Sequence, residues 1–454
     1  MKLLVSALLF AATAAGVQTE SGEVRGTTRD GVVVYKGIPY GAAPVGPLRW
    51  MPPRPAPHWE GVREATRFGA SCMQPVPEAV RKSVRMGEDC LFLNVWTPAK
   101  DASDHLPVMV WIHGGGFQGG TSANAVFDGT ALAAQGVVVV TINYRLGPFG
   151  LFASGNFHLM DQIAALEWVH RNIAGFGGAP DAVTVFGESA GGTSVLALMV
   201  SPRAKGLFQR AIVQSGTLFD GTNANTDLEH EDVEELRAMD VQKLLDRFGE
   251  ASFDPVVDGA LLPASPLKTF EAGKQAHVPL MIGVTNDEGN LLGHVGMTAE
   301  QLLARVKGRE REIELLYPGL AGDRLARELY NDLLYGAQAR LLARLTQRSY
   351  LYEFAYVPDQ LRGELFAVPH AVDVPFIFGN KHPNVPMNDV DMRMAARISA
   401  YWVRFAKSGD PGWPAHDRAT DRWMVFGNDG PVVRTEHRKD RLDFCEQLLG
   451  ELLR

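Results

Sequence analysis

The chain has 454 residues, 46% hydrophobic and 21% charged, which is an ordinary globular balance long enough for one large α/β domain or two to three smaller ones. Its net charge of −8 comes without a basic block or Lys/Arg stripe, which argues against nucleic acid as a partner and speaks to solubility more than to substrate. No Cys/His cluster has metal-ligand spacing, so no structural zinc is expected.

In chain order, Lys2 and the apolar run "LLVSALLFAATAA" come first, with Ala12-Thr13-Ala14 as a small-x-small cleavage pattern. This predicts a cleavable signal peptide over residues 1–15, too short to span a bilayer; a buried first strand or helix is the competing reading. No cysteine follows the cleavage point, which leaves a lipid anchor unsupported. No other run is long and apolar enough to cross a membrane, so the expectation is a secreted or periplasmic protein without stable membrane insertion. The segments "GEVRGTT", "VVVYKGIPYG" and "CLFLNVWTP" predict extra N-terminal strands at a sheet edge, and the proline-rich "APVGPLRWMPPRPAP" predicts a surface loop. Cys72 and Cys90 bracket a short polar loop that a disulfide can close in an oxidising compartment, worth roughly 3 kcal/mol; two unrelated thiols are the alternative. Cys445 has no obvious partner and is expected to be a lone thiol.

Further along, "PVMVWIHGG", "GVVVVTINYR", "AVTVFGES", "RAIVQSG" and "VPLMIGVTNDEG" are β-branched runs that end in Gly, Asn or Asp and predict buried strands. Between them, "MDQIAALEWVHRNIAGF" places Ile163, Leu166, Val169 and Ile173 at helical spacing. Strands apolar on both faces that alternate with helices imply an α/β fold, a mostly parallel sheet covered on both sides, with chemistry at the carboxyl ends of the strands. Residues from Met297 to Arg348 are helix-forming and charge-rich and predict a helical layer beside the active site. The whole reads as a single domain over residues 16–454.

Gly187-Glu188-Ser189-Ala190-Gly191 is the one G-x-S-x-G match in the chain. A strand-to-helix turn sharp enough to lift a serine above the sheet brings neighbouring backbone close, where only small residues fit. A glycine turn without chemistry is the alternative. About seventy residues earlier, "WIHGGGF" ends another buried strand with three glycines, whose N–H groups can face an anion. A phosphate cradle is the competing reading, but no lysine follows in P-loop register. A nucleophilic serine needs a base, and the base needs an orienting acid. "TNDEG" offers Asp287 or Glu288 for the acid; position alone does not choose His370 over His382, His416 or His437 for the base.

Taken together, "YKGIPYGAAPVGPLRW", "EDCLFLNVWTP", "WIHGGGF", "VVVVTINYRLGPFG", "NFHLMDQIAALEWVHRNIAGFGG", "VTVFGESAGGTS", "FDPVVDGALLP", "VPLMIGVTNDEG" and "WVRFAKSGDP" make the chain resemble the type-B carboxylesterases. These are the branch of the α/β-hydrolases that includes bacterial esterases and the cholinesterases. The resemblance implies an α/β-hydrolase fold and hydrolysis of a small-molecule carboxylic ester through an acyl-enzyme, without a cofactor. It implies Ser189 as nucleophile, Glu288 as acid and His370 as base, with the N–H groups of Gly115, Gly116 and Ala190 as the oxyanion hole. It also implies pairing of Cys72 with Cys90, and matches Glu188 to an acidic position that modulates the site; a buried hydrogen-bonding carboxylate is the other reading of Glu188.

Departures from the family pattern are few. "FGGAP" carries Ala179 where the family has an acid, and the Cys72–Cys90 loop lacks the tryptophan that cholinesterases use for a quaternary ammonium. The segment from Gly216 to Phe253 is shorter than in larger members, so a reduced cap is expected. No N-x-S/T sequon occurs, which leans toward a bacterial exported member. Two alternatives stay open: a non-catalytic cholinesterase-like adhesion protein, and amide or thioester cleavage on the same triad.

Overall fold

The β-branched runs pair into one thirteen-stranded sheet in the computed structural model, which describes residues 13–77, 84–152, 155–222, 232–248, 251–294 and 296–452. The expected signal peptide lies outside the described residues up to its last three, which open the first strand. The strands are β1 (Thr13–Thr19), β2 (Gly22–Arg29), β3 (Val32–Pro39), β4 (Val62–Glu64), β5 (Phe92–Thr97), β6 (Leu106–Ile112) and β7 (Val138–Ile142). They continue with β8 (Gly178–Glu188), β9 (Arg210–Gln214), β10 (Leu280–Thr285), β11 (Ser349–Phe354), β12 (Trp423–Gly427) and β13 (Gly430–Arg434).

The order across the sheet is β1-β2-β3-β5-β7-β6-β8-β9-β10-β11-β12-β13, with β4 added to β2. From β7 to β12 every neighbouring pair is parallel. The N-terminal strands through β5, and β13 at the far edge, are antiparallel to their neighbours on this path. The expected mostly parallel sheet with N-terminal antiparallel strands is therefore present. Strands β4, β11, β12 and β13 are additions that the sequence pattern did not reveal, as is β1, most of which lies beyond the expected signal peptide.

Alternation within single strands shows why both faces are covered. In β6, Val108, Val110 and Ile112 pack with the helices α1 (Phe157–Asn172) and α2 (Ala190–Val200), while Met109 and Trp111 pack on the other face with α5 (Asp389–Ser408). The expected helical layer contains α3 (Gly322–Tyr330) and α4 (Ala337–Leu345), joined by a π-helical turn at Asn331–Gly336. The last helix, α6 (Lys439–Leu452), packs on that layer through ionic contacts. Cys72 and Cys90 form a disulfide, and Cys445 is a buried free thiol.

Candidate active site

Three loops leave the carboxyl edge of the parallel sheet side by side. They follow β6, β8 and β10 and carry the glycine run at 114–116, Ser189 and Glu288. Neighbouring parallel strands put their carboxyl ends on one edge, so residues far apart in sequence meet there.

Ser189 sits between the end of β8 and the first residue of α2 with φ 57° and ψ −126°, a conformation that costs a non-glycine residue on the order of 1–3 kcal/mol. The turn is held by its N–H donating to Gln214 O at 2.9 Å and by its carbonyl accepting from Thr193 N at 2.9 Å. The two motif glycines answer a space requirement. A Cβ on Gly191 would lie 2.0 Å from Ile112 O, and one on Gly187 would lie 2.5 Å from Gly191 O. Helix α2 is buried along its full length, with its N-terminal N–H groups beside the half-buried serine. That end of a helix carries partial positive charge. Among the described residues, no protein acceptor takes the N–H of Gly115 or Gly116, and both glycines are exposed.

Glu288 is fully buried and its carboxylate is saturated with donors. Oε1 accepts from Ser215 Oγ at 2.5 Å and from Thr285 N at 2.7 Å, while Oε2 faces His370 Nδ1 at 2.5 Å. A carboxylate only accepts, so Nδ1 carries the hydrogen of that bond. The segment around the acid also grips the histidine loop. Asn286 Oδ1 accepts from Val368 N at 2.7 Å, Asp287 N donates to Val368 O at 3.1 Å, and Asn290 Oδ1 accepts from His370 N at 3.0 Å. Asp287 itself turns away and pairs with Arg327. Between the two acids that the sequence left open, Glu288 is the one in contact with an imidazole.

The histidines separate in the same way. His416 lies 3.8 Å from Asp421, His437 lies 3.1 Å from Glu353, and His382 accepts from Asn384 N; His370 alone of the four touches Glu288. Its other ring nitrogen, Nε2, lies 2.9 Å from Glu188 Oε1. That oxygen has no partner of hydrogen-bond geometry, so the contact is an ion pair. No hydrogen bond joins His370 to Ser189 Oγ. Burial pushes the imidazole down, but Glu188 and Glu288 on its two sides outweigh burial and hold it well above its usual 6.5. A protonated ring between two carboxylates prefers a charged acceptor to a neutral hydroxyl.

Several contributors gave no signal in the sequence. Ser215 and Thr285 complete the Glu288 shell, and Asn331, on the π-helical turn, accepts from Glu288 N at 2.9 Å. Tyr335, four residues on, sets its ring edge-on to His370 with centroids 6.0 Å apart. Asp373 is a third carboxyl in the region. Its Oδ2 accepts from Gln214 Nε2 at 3.1 Å and its Oδ1 has no partner. Burial first, then Glu188 and Glu288, push Asp373 up to about 8. Ala179 is buried within β8 and takes part in no ion pair.

Among the described residues no group of His, Cys, Asp and Glu side chains is arranged to hold a metal ion, and no helix is long and apolar enough to cross a membrane.

The Carboxylesterase family model matches residues 13–316 and 322–446. The chain is 36% identical over 468 residues to the para-nitrobenzyl esterase of Bacillus subtilis (strain 168), covering 91% of this chain and 95% of that protein. It is 33% identical over 476 residues to the fumonisin B1 esterase of Sphingopyxis macrogoltabida, covering 90% and 86%. Among solved structures, the Geobacillus stearothermophilus carboxylesterase superposes with a TM-score of 0.83 at 33% identity, covering 95% of this chain and 100% of that one.

Proposed function

The chain belongs to the carboxylesterase family and is a carboxylic-ester hydrolase with the α/β-hydrolase fold, and from this we propose that Ser189, His370 and Glu288 perform the hydrolysis. The observation that carries the reading is the bonded Glu288–His370 pair, brought by a separate loop against the residue preceding a sharply turned serine. In this mechanism the resting imidazolium first releases its Nε2 proton to solvent; neutral His370 then turns Nε2 from Glu188 and takes the Ser189 proton as Oγ attacks the ester carbonyl. Glu288 keeps Nδ1 protonated and stabilises the imidazolium. The free N–H groups of Gly115 and Gly116, with that of Ala190 at the start of α2, donate to the tetrahedral oxyanion, each worth roughly 3–4 kcal/mol. The imidazolium then returns its proton to the departing alcohol, and water attacks the acyl-enzyme with His370 again as base.

Glu188 modulates this cycle by its ion pair with the resting imidazolium. The natural ester is a small molecule, and the esterases to which the chain is similar are named for several ester classes. We also propose that the chain is exported; the Cys72–Cys90 disulfide supports this, because such bonds persist in oxidising compartments.

The test is Ser189→Ala. It should abolish hydrolysis of p-nitrophenyl acetate and labelling by a fluorophosphonate while the unfolding midpoint stays near that of the parent. Retained burst kinetics in this variant would remove Ser189 as nucleophile.

A further inference from the structure

The loop that carries Gly115 and Gly116 runs "HGGGFQGG" from His113 to Gly120, and five of its eight residues are glycine. Glycine gives up more backbone freedom on folding than any other residue, so a loop of this composition keeps one shape only where it is tied. Its entry and middle are held by its own strand and by the segment after β7. His113, pushed down to about 4 by burial and therefore neutral, places Nδ1 2.9 Å from Gly114 O. Tyr144 OH donates to His113 O at 2.7 Å, and Phe117 is buried with its carbonyl accepting from Gly147 N at 2.7 Å.

The exit is held by a residue from elsewhere. Gln74 Oε1 accepts from Gly120 N at 2.8 Å, and Gln74 Nε2 donates to Gly120 O at 2.8 Å and to Cys72 O at 3.0 Å. One primary amide thus takes both main-chain groups of Gly120, and only one orientation of the amide satisfies both. Beside it, Ser71 Oγ donates to Thr121 Oγ1 at 2.8 Å. Gly120 is in turn packed on the loop entry: a Cβ there would lie 2.3 Å from His113 Nδ1 and 2.5 Å from Gly114 O. A shift of Gly120 therefore moves the backbone next to Gly115. Gln74 stands two residues after Cys72, inside the loop that the disulfide closes.

We propose that Gln74 is a positioning residue for the oxyanion-stabilising N–H groups of Gly115 and Gly116, and that the Cys72–Cys90 disulfide anchors it for that purpose. The inference rests on the oxyanion-hole reading above. An amide clamp on one glycine fixes where the two free N–H groups point, and those groups matter most when the carbonyl oxygen becomes an oxyanion. Loss of the clamp should therefore lower kcat and leave KM largely unchanged.

The experiment compares the parent with Gln74→Met, which keeps the volume and loses both bonds, and with Gln74→Glu, which keeps the acceptor for Gly120 N–H and loses the donor. Active sites are titrated with a fluorophosphonate, so that misfolded protein is not counted. Kinetics on p-nitrophenyl acetate and inhibition by a trifluoromethyl ketone, which forms a tetrahedral adduct, are then measured per titrated site. Gln74→Met should lose roughly tenfold or more in kcat, short of the ~100-fold that follows deletion of a donor, with KM within about twofold. The trifluoromethyl ketone should weaken by the same factor as kcat/KM, and Gln74→Glu should fall between Met and the parent. The double variant Cys72→Ser/Cys90→Ser should show the same kcat-selective loss.

Unchanged kcat per titrated site in Gln74→Met overturns the positioning role, and if that variant fails to fold, Gln74→Glu at parental kcat overturns it alone. A double cysteine variant with parental kcat overturns the part assigned to the disulfide. A parent chain that the trifluoromethyl ketone does not inhibit overturns the oxyanion-hole reading itself, whatever the Gln74 variants do.

Discussion

Glu188 and His370 show how one neighbour sets the protonation of another. The imidazole is buried, which alone would favour its neutral form, yet two carboxylates flank it and reverse the sign. If His370 is the base as proposed, holding it above its usual 6.5 keeps it protonated in a larger part of the working range, so kcat/KM should fall as pH drops through a midpoint above 6.5. Glu188→Gln removes one negative charge, disfavours the imidazolium and should move this limb to lower pH. Rate profiles on p-nitrophenyl acetate across pH 4–9 check it, and an unmoved limb would mean that the ion pair does not persist in the working enzyme. The sequence singled out Glu188 by its place beside Ser189 and left its role open. The contact with Nε2 could not be read there, because it depends on where a loop 182 residues away returns.

The helical layer is held to the last helix by buried charge, and this decides how firmly the Glu288 loop is backed. Arg340 on α4 is fully buried and reaches Glu446 and Asp443 on α6 at 2.6 Å each, and Asp421 at 2.9 Å. Eight residues earlier in that layer, Asp332 bonds Arg438 Nη1 at 2.8 Å and Tyr317 OH at 3.0 Å, next to Asn331, which holds Glu288. Removing one partner from such a cluster strands the others without compensation. Arg340→Leu should therefore cost about 3–5 kcal/mol, measured as a fall in the urea midpoint at constant slope. A loss below about 1 kcal/mol would place this cluster with exposed ion pairs of little consequence. The helix-forming, charge-rich composition of residues 297–348 made the layer legible. The π-helical turn at Asn331–Gly336 was not, since it breaks the helical period and sets Asn331 against Glu288 and Tyr335 against His370.

Across the whole molecule, buried carboxyl groups shape stability in opposite directions. Glu353 in β11 meets burial that would raise it, but Arg438 and His437 outweigh this and hold it at about 2 against an ordinary 4.5. Its contribution is present above pH 4.5 and is lost as pH falls through 2. Asp373 is raised to about 8 from 3.8, so the unfolded chain ionises first and stability falls as pH rises from about 4 to 8. His370, held above 6.5, adds stability at lower pH that is likewise lost as pH rises through its folded value. The unfolding temperature should thus peak under mildly acidic conditions, and Asp373→Asn should flatten the decline toward pH 8; an equally steep decline in that variant would show that Asp373 ionises freely in the fold. The strands with uniform β-branched faces, the helix between them and the tight serine turn were all written in the sequence, because burial on both faces and steric closeness each demand particular residues at particular spacings. Strand β11, "SYLYEF", was hidden because its buried Glu353 reads as polar until Arg438 and His437 come to neutralise it. Likewise the motifs named Ser189, and resemblance chose Glu288 and His370, but only the meeting of three strand ends turned Asp287 away to Arg327 and set Glu288 on the imidazole. Local sequence fixes what a segment can become, whereas partners for a buried charge come from distant segments that only the closed sheet brings together.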